Sequence, residues 1–171
     1  MARRYRFEST INAPRDLMLT MLTSCEFLEK EARENGAVDV TCRVKKRGKN
    51  KLSLEMRKTE PTLDNAGNVI EDKFEHIVLK QEWDLKKGTV DWSHVMEELE
   101  GVEVSGRNEL RDIGKGKCVL VERGEISIRT DMPLVGRFMD WFIAGRVIAG
   151  MKAERARRAA YLARKAREKN S

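Results

Sequence analysis

The sequence predicts an α+β domain: an antiparallel sheet of about seven strands, two short helices after the first strand, and a long C-terminal helix. Three observations carry this. Apolar residues recur with period two from about residue 38 to residue 130, interrupted by glycine- and lysine-rich turns. A separate alternating segment opens the chain, and two stretches of helical spacing follow it. From Pro133 the pattern becomes a long apolar run and then an Ala/Arg/Lys/Glu-rich one with high helix propensity.

Tyr5, Phe7, Ser9 and Ile11 alternate with Arg4, Arg6, Glu8 and Thr10, as a half-buried strand requires. Asn12-Ala13-Pro14 ends it, and proline suits a first helical turn, so Pro14–Leu22 is a short helix. Ser24 caps a second, which carries Phe27, Leu28 and Ala32 and stops at Gly36. Val38, Val40, Cys42 and Val44 then share one strand face. Gly48-Lys49-Asn50 turns the chain, and Leu52, Leu54 and Met56 line the next strand. Residues 60–68, with Pro61, Asn65, Gly67 and Asn68, are expected to form an exposed loop. Strands follow around 75–84, 89–96, 102–111 and 118–130, joined at Lys86-Lys87-Gly88, Glu100-Gly101 and Gly114-Lys115-Gly116. Links this short pair consecutive strands antiparallel, as a meander. Asp131 caps the last helix, with Pro133 in its first turn. No internal repeat is visible.

At 171 residues the chain suits one domain with its own core. With 40% hydrophobic and 36% charged residues it is neither a disordered polymer nor a membrane protein. Met1–Phe7 carries basic residues without a following apolar run, so no export signal is expected and the protein should be cytoplasmic. Cys25, Cys42 and Cys118 are an odd set with no CxxC pair, which points to reduced thiols rather than a disulfide or zinc framework. The net charge of +6 sits in the tail: between Lys152 and Lys169 there are eight cations and two acids. The body is therefore close to neutral overall.

The run Tyr5–Pro14, with Ala13-Pro14 leading through to Met21-Leu22, resembles the opening strand and helix entry of the START/polyketide-cyclase-like (SRPBCC) superfamily. Thr130-Asp131-Met132-Pro133-Leu134-Val135-Gly136 resembles the junction into the final helix in an uncharacterised bacterial branch of it. The resemblance spans residues 4 to about 162, so a helix-grip domain is expected over 1–162, with a basic extension of the last helix over 163–171. It implies a curved sheet around the long helix, with a cavity that holds a lipid, sterol, polyketide or other apolar molecule. It does not imply an enzyme, because the superfamily contains carriers and catalysts alike.

On a helical wheel Leu134, Phe138, Trp141, Phe142, Gly145, Ile148 and Ala149 share one face, which should lie over the sheet. Gly145 leaves room beside the aromatics Phe138, Trp141 and Phe142, so these four are expected to shape the ligand site. An apolar helix face is also what ordinary core packing produces. Met139, Ile143 and Val147 form a second stripe that a partner copy, a membrane surface or a neighbouring segment would cover. Arg137, Asp140 and Arg146 rule out a transmembrane span.

On the strands, Val90, Trp92, His94 and Met96 share a face, and so do Val102, Val104, Asn108 and Leu110. Trp92, His94, Val104, Asn108 and Leu120 are therefore expected ligand contacts, with His94 and Asn108 fixing a polar head. A lone inward histidine is also a common structural residue. Glu122 has the phase of Leu120, although Gly124 is a candidate bulge. His76 should face solvent. Neither a metal site nor a catalytic or phosphate-binding motif is supported, and no cofactor is expected.

Three functions fit these residues. The first is binding or transfer of an apolar small molecule. The second is a cyclase or hydrolase, which requires His94 and Glu122 to meet. The third is a surface-binding module using the basic tail, for anionic lipid or nucleic acid, the latter less expected because Tyr161 is the tail's single aromatic.

Overall fold

The computed structural model describes residues 2–63, 68–98 and 101–128 and, within the C-terminal segment, 150, 152, 155, 156, 158–161 and 164. Strand β1 (Ala2–Ile11) leads into helices α1 (Arg15–Leu22) and α2 (Cys25–Glu34). Strands β2 (Asp39–Arg47), β3 (Lys51–Leu63), β4 (Val69–Asp84), β5 (Thr89–Met96), β6 (Val102–Gly114) and β7 (Lys117–Ile128) follow. All seven form one antiparallel sheet in the order β1-β7-β6-β5-β4-β3-β2.

The meander holds from β2 to β7. β1 departs from it, because it pairs with the last strand, Ala2 opposite Ser127 through to Ile11 opposite Cys118. The two helices carry the chain from that edge of the sheet to the other. Ser24 Oγ accepts the Phe27 N–H at 3.3 Å and starts α2. Gly36, at φ 99°, ends it by letting the Ala37 N–H return to the Ala32 carbonyl at 3.0 Å. Pro14 sits at the N-cap of α1 rather than inside its first turn.

The expected loop over 60–68 is shorter than the sequence suggests. β3 continues to Leu63 and β4 begins at Val69, with Glu60 opposite Glu75 and Pro61 opposite Phe74. Pro61 is tolerated because β2 stops pairing at Thr59, so β3 has a neighbour on one side only there. β5 in turn pairs with β4 only from Ile77, so the β3–β4 hairpin projects as a two-stranded arm.

One face of the sheet forms the core. Val40, Leu52, Leu54, Met56, Leu79, Trp83, Val90, Trp92, Val104, Leu110, Cys118, Leu120 and Ile126 are buried there with Met18, Leu22, Leu28 and Ala32 of the helices. Arg15 pins α1 across one end, donating to the carbonyls of Leu110 (3.2 Å) and Lys86 (3.1 Å). The β6–β7 register runs unbroken from Val102 to Asp112, so Gly124 is not a bulge and Glu122 keeps its inward phase. The described C-terminal residues are helical, and the Tyr161 ring meets Phe27 of α2 edge-on at 5.1 Å.

Candidate functional site

The inner face carries a bare patch at its β5–β6–β7–β1 side. Gly106 and Gly124 stand directly opposite each other on β6 and β7. Trp92 lies across the first and Tyr5 across the second. A Cβ at Gly106 would strike the Arg123 carbonyl oxygen and come within 2.6 Å of Trp92 Cζ2; one at Gly124 would strike the Tyr5 ring. Glycine is required here because two aromatic rings occupy the space above it.

Beside this patch runs a polar strip. Asn108 pairs in register with Glu122, and Glu122 with Phe7. The Trp92 indole Nε1 donates to Asn108 Oδ1 at 2.8 Å. An indole N–H is only a donor, so this bond fixes the amide's orientation and turns its nitrogen away from Trp92. Glu122 Oε2 lies 3.0 Å from Arg155 Nε, with both side chains mostly buried. Arg155 also donates to Ser9 Oγ and, at 3.2 Å, to the Glu8 carbonyl, while its guanidinium stands 4.8 Å over the Phe7 ring. The strip therefore offers an amide donor at one end and an internally balanced ion pair at the other.

Trp92, Val104 and Leu120 are buried as their phase predicts, and Asn108 and His94 are half-buried. His94 stands opposite Val104 and meets the Trp92 ring edge-on at 5.2 Å. Two strands and four residues of register separate it from Glu122, a distance on the order of 15 Å, so the acid–base pairing that a cyclase or hydrolase reading needs is not formed. Phe138, Trp141, Phe142 and Gly145 lie outside the described residues, as do Met139, Ile143 and Val147.

His76 is exposed and bonded to Glu98, and that hydrogen bond raises its pKa. All three cysteines are free thiols. Cys25 and Cys42 are neighbours in space, and burial first, then the hydrogen bond to Cys25, pushes the Cys42 thiol up. Among the described residues no group of three His, Cys, Asp or Glu side chains could hold a metal, and no helix is long and apolar enough to cross a membrane.

Sequence reasoning missed the glycine pair and the Arg155–Glu122 contact. Gly106 and Gly124 did carry a signal, since each occupies an inward position where a side chain is expected. Nothing in the spacing could have joined Arg155 to Glu122.

A comparison with curated protein sequences finds no match. Solved structures match in fold. The Zhui aromatase/cyclase from Streptomyces sp. R1128 has a TM-score of 0.60 at 11% identity, covering 100% of this chain and 97% of that one. A START superfamily protein from Mycobacterium smegmatis gives 0.57 at 10% identity, covering 93% and 98%. A Thalictrum flavum norcoclaurine synthase point mutant gives 0.62 at 12% identity, covering 100% and 98%. These likenesses show that the chain has the START-like, helix-grip fold. Residues 6–162 match the family described as a protein of unknown function, DUF2505, and the chain belongs to that family.

Proposed function

We propose that the inner face binds an apolar small molecule, a lipid by class, and holds it against the C-terminal helix for storage or transfer. One observation carries this reading. The Trp92–Asn108 bond commits the amide oxygen inward, and among the described residues the amide nitrogen has no acceptor. That nitrogen is half-buried, so it is a donor within reach of a ligand's oxygen. An elongated apolar ligand with one acceptor oxygen fits this face, its body on Trp92, Val104 and Leu120 and its oxygen on Asn108. The sequence reading supplies the opposite wall with Phe138, Trp141, Phe142 and Gly145, and gives His94 a share with Asn108 in fixing the polar head.

The separation of His94 from Glu122, and the engagement of Glu122 by Arg155, favour binding over acid–base catalysis. The fold is compatible with holding a small molecule, since one similar structure is named an aromatase/cyclase and another was solved with a transition state analogue. A reducing, cytoplasmic setting agrees with the three free thiols.

Native mass spectrometry of the purified protein, followed by organic extraction, tests the reading. An apolar molecule at near-unit stoichiometry in the wild type, depleted in Asn108→Leu, supports it. A protein that emerges empty and takes up no fatty acid, sterol or phospholipid overturns it.

A further inference from the structure

Among the described residues, the arginines of the cationic tail are paired with acids while Arg43 and Arg47 of the β2–β3 hairpin are not. The tail holds the sequence's cationic excess, yet Arg155 is engaged by Glu122, Arg158 by Glu31 and Arg164 by Glu34. The β2–β3 hairpin is the reverse case. From residue 43 to residue 51 it carries Arg43, Lys45, Lys46, Arg47, Lys49 and Lys51 with no acidic residue, and every one is exposed. Lys51 pairs with Asp84 at 2.9 Å, and Lys45 is near enough to help lower the Glu55 pKa. Arg43, Lys46, Arg47 and Lys49 have no acidic partner among the described residues. The adjoining turn, tied in by the bond from Leu85 N–H to the Asn50 carbonyl at 2.9 Å, adds exposed Lys86 and Lys87.

The register gives the hairpin its shape. A shift between Val44 and Lys46 places Lys46 opposite Ser53 and Arg47 opposite Leu52, the residue that continues the core row. Cations therefore stand on both sides of the strand rather than on one. Lysines on an edge strand discourage unwanted pairing, and β2 is an edge. That purpose does not extend to Lys49, in the turn, or to Lys51, on an interior strand.

We propose that this hairpin docks the protein on an anionic lipid bilayer. Several Lys and Arg side chains near such a surface add their attractions. The patch also includes Val44, an apolar side chain 42% exposed. No aromatic lies between residues 43 and 51 to stack a nucleotide base, which separates this surface from a single-stranded nucleic-acid site. Docking acts whether or not the inner face holds a ligand.

Co-sedimentation of the full chain with phosphatidylcholine vesicles, with and without phosphatidylglycerol, tests the proposal. Binding is expected only with phosphatidylglycerol, and should weaken with added salt. Lys45→Glu/Lys46→Glu/Lys49→Glu should lower vesicle affinity at least about tenfold, given the additive attraction per charge. Lys46→Gln/Lys49→Gln should give a smaller loss, and keeps the test valid if the triple variant folds poorly. Lys165→Glu/Arg167→Glu should weaken binding less than the hairpin reversal does. Binding that is equal on both vesicles, that survives the hairpin reversal, or that is lost only in the tail variant overturns the proposal. So does hairpin-dependent binding of a single-stranded RNA oligomer without vesicle binding.

Discussion

Arg158 grips Glu31 with both arms of its guanidinium, Nε to Oε1 at 2.8 Å and Nη2 to Oε2 at 3.0 Å. The pair joins the C-terminal helical segment to α2 across 127 residues of chain, with side chains only 16% and 9% exposed. Planar, two-point contact with a carboxylate is the geometry arginine provides and lysine does not. Together with the Tyr161–Phe27 contact it fastens that segment to the domain.

Breaking this pair from one side leaves a charge stranded in a mostly buried position. Glu31→Leu should therefore cost about 3 kcal/mol in urea unfolding. Adding Arg158→Met should recover part of the loss, since the stranded guanidinium is gone. Additive losses in the double variant count against the pairing. By contrast Glu34→Ala, which removes the exposed 3.5 Å pair with Arg164, should cost about 0.5 kcal/mol or less.

The glycine pair makes a steric prediction with an internal control. Gly124→Ala should destabilise by about 2 kcal/mol because its methyl meets the Tyr5 ring. Tyr5→Leu in the same chain should relieve most of that clash. Gly106→Ala should be worse and should not respond to any side-chain change, since its methyl meets the Arg123 carbonyl. Thermal melts of the three variants would settle the order.

His76 and Glu98 make a pH-dependent contact at the foot of the β3–β4 arm. The Glu98 hydrogen bond raises the His76 pKa above its ordinary 6.5, outweighing the small desolvation that opposes it. A pKa raised on folding means that the contribution is fully present below pH 6.5 and is lost as pH rises through the raised value. In an NMR titration the His76 midpoint should fall toward its ordinary value in Glu98→Gln. An unmoved midpoint rules the contact out in solution.

Trp92→Phe keeps the apolar body and deletes the N–H that orients Asn108. It should cost about 1 kcal/mol of stability, the worth of one hydrogen bond. If the amide presents its nitrogen to a ligand, Trp92→Phe should also weaken ligand retention without emptying the site, whereas Asn108→Leu should empty it. Equal retention in all three proteins removes Asn108 from the ligand contacts.

Much of the fold is legible in the sequence because strand phase depends on nearest neighbours. Trp92, Val104 and Leu120 turn inward because apolar and polar residues alternate around them, and Ser24 and Gly36 bound α2 through contacts within a few residues. Glu60 to Leu63 read as loop because Pro61 breaks a strand in most settings. Only the early end of β2 makes that proline harmless. The site was legible to the same depth: its strand residues could be listed by phase, but Tyr5 and Gly124 became part of it through a pairing of first strand with last.

By itself the sequence determined the number and phase of the strands and the two short helices after the first, properties of residues close along the chain. The tertiary structure decided which charges remain free. β1 pairs with β7, so Ser9 and Glu122 come together and receive Arg155, while α2 presents Glu31 to Arg158. A charge count is the same in any fold, but neutralisation depends on which elements approach each other. That is why the tail, where the cationic excess lies, gives arginines to ion pairs while the β2–β3 hairpin keeps its own exposed.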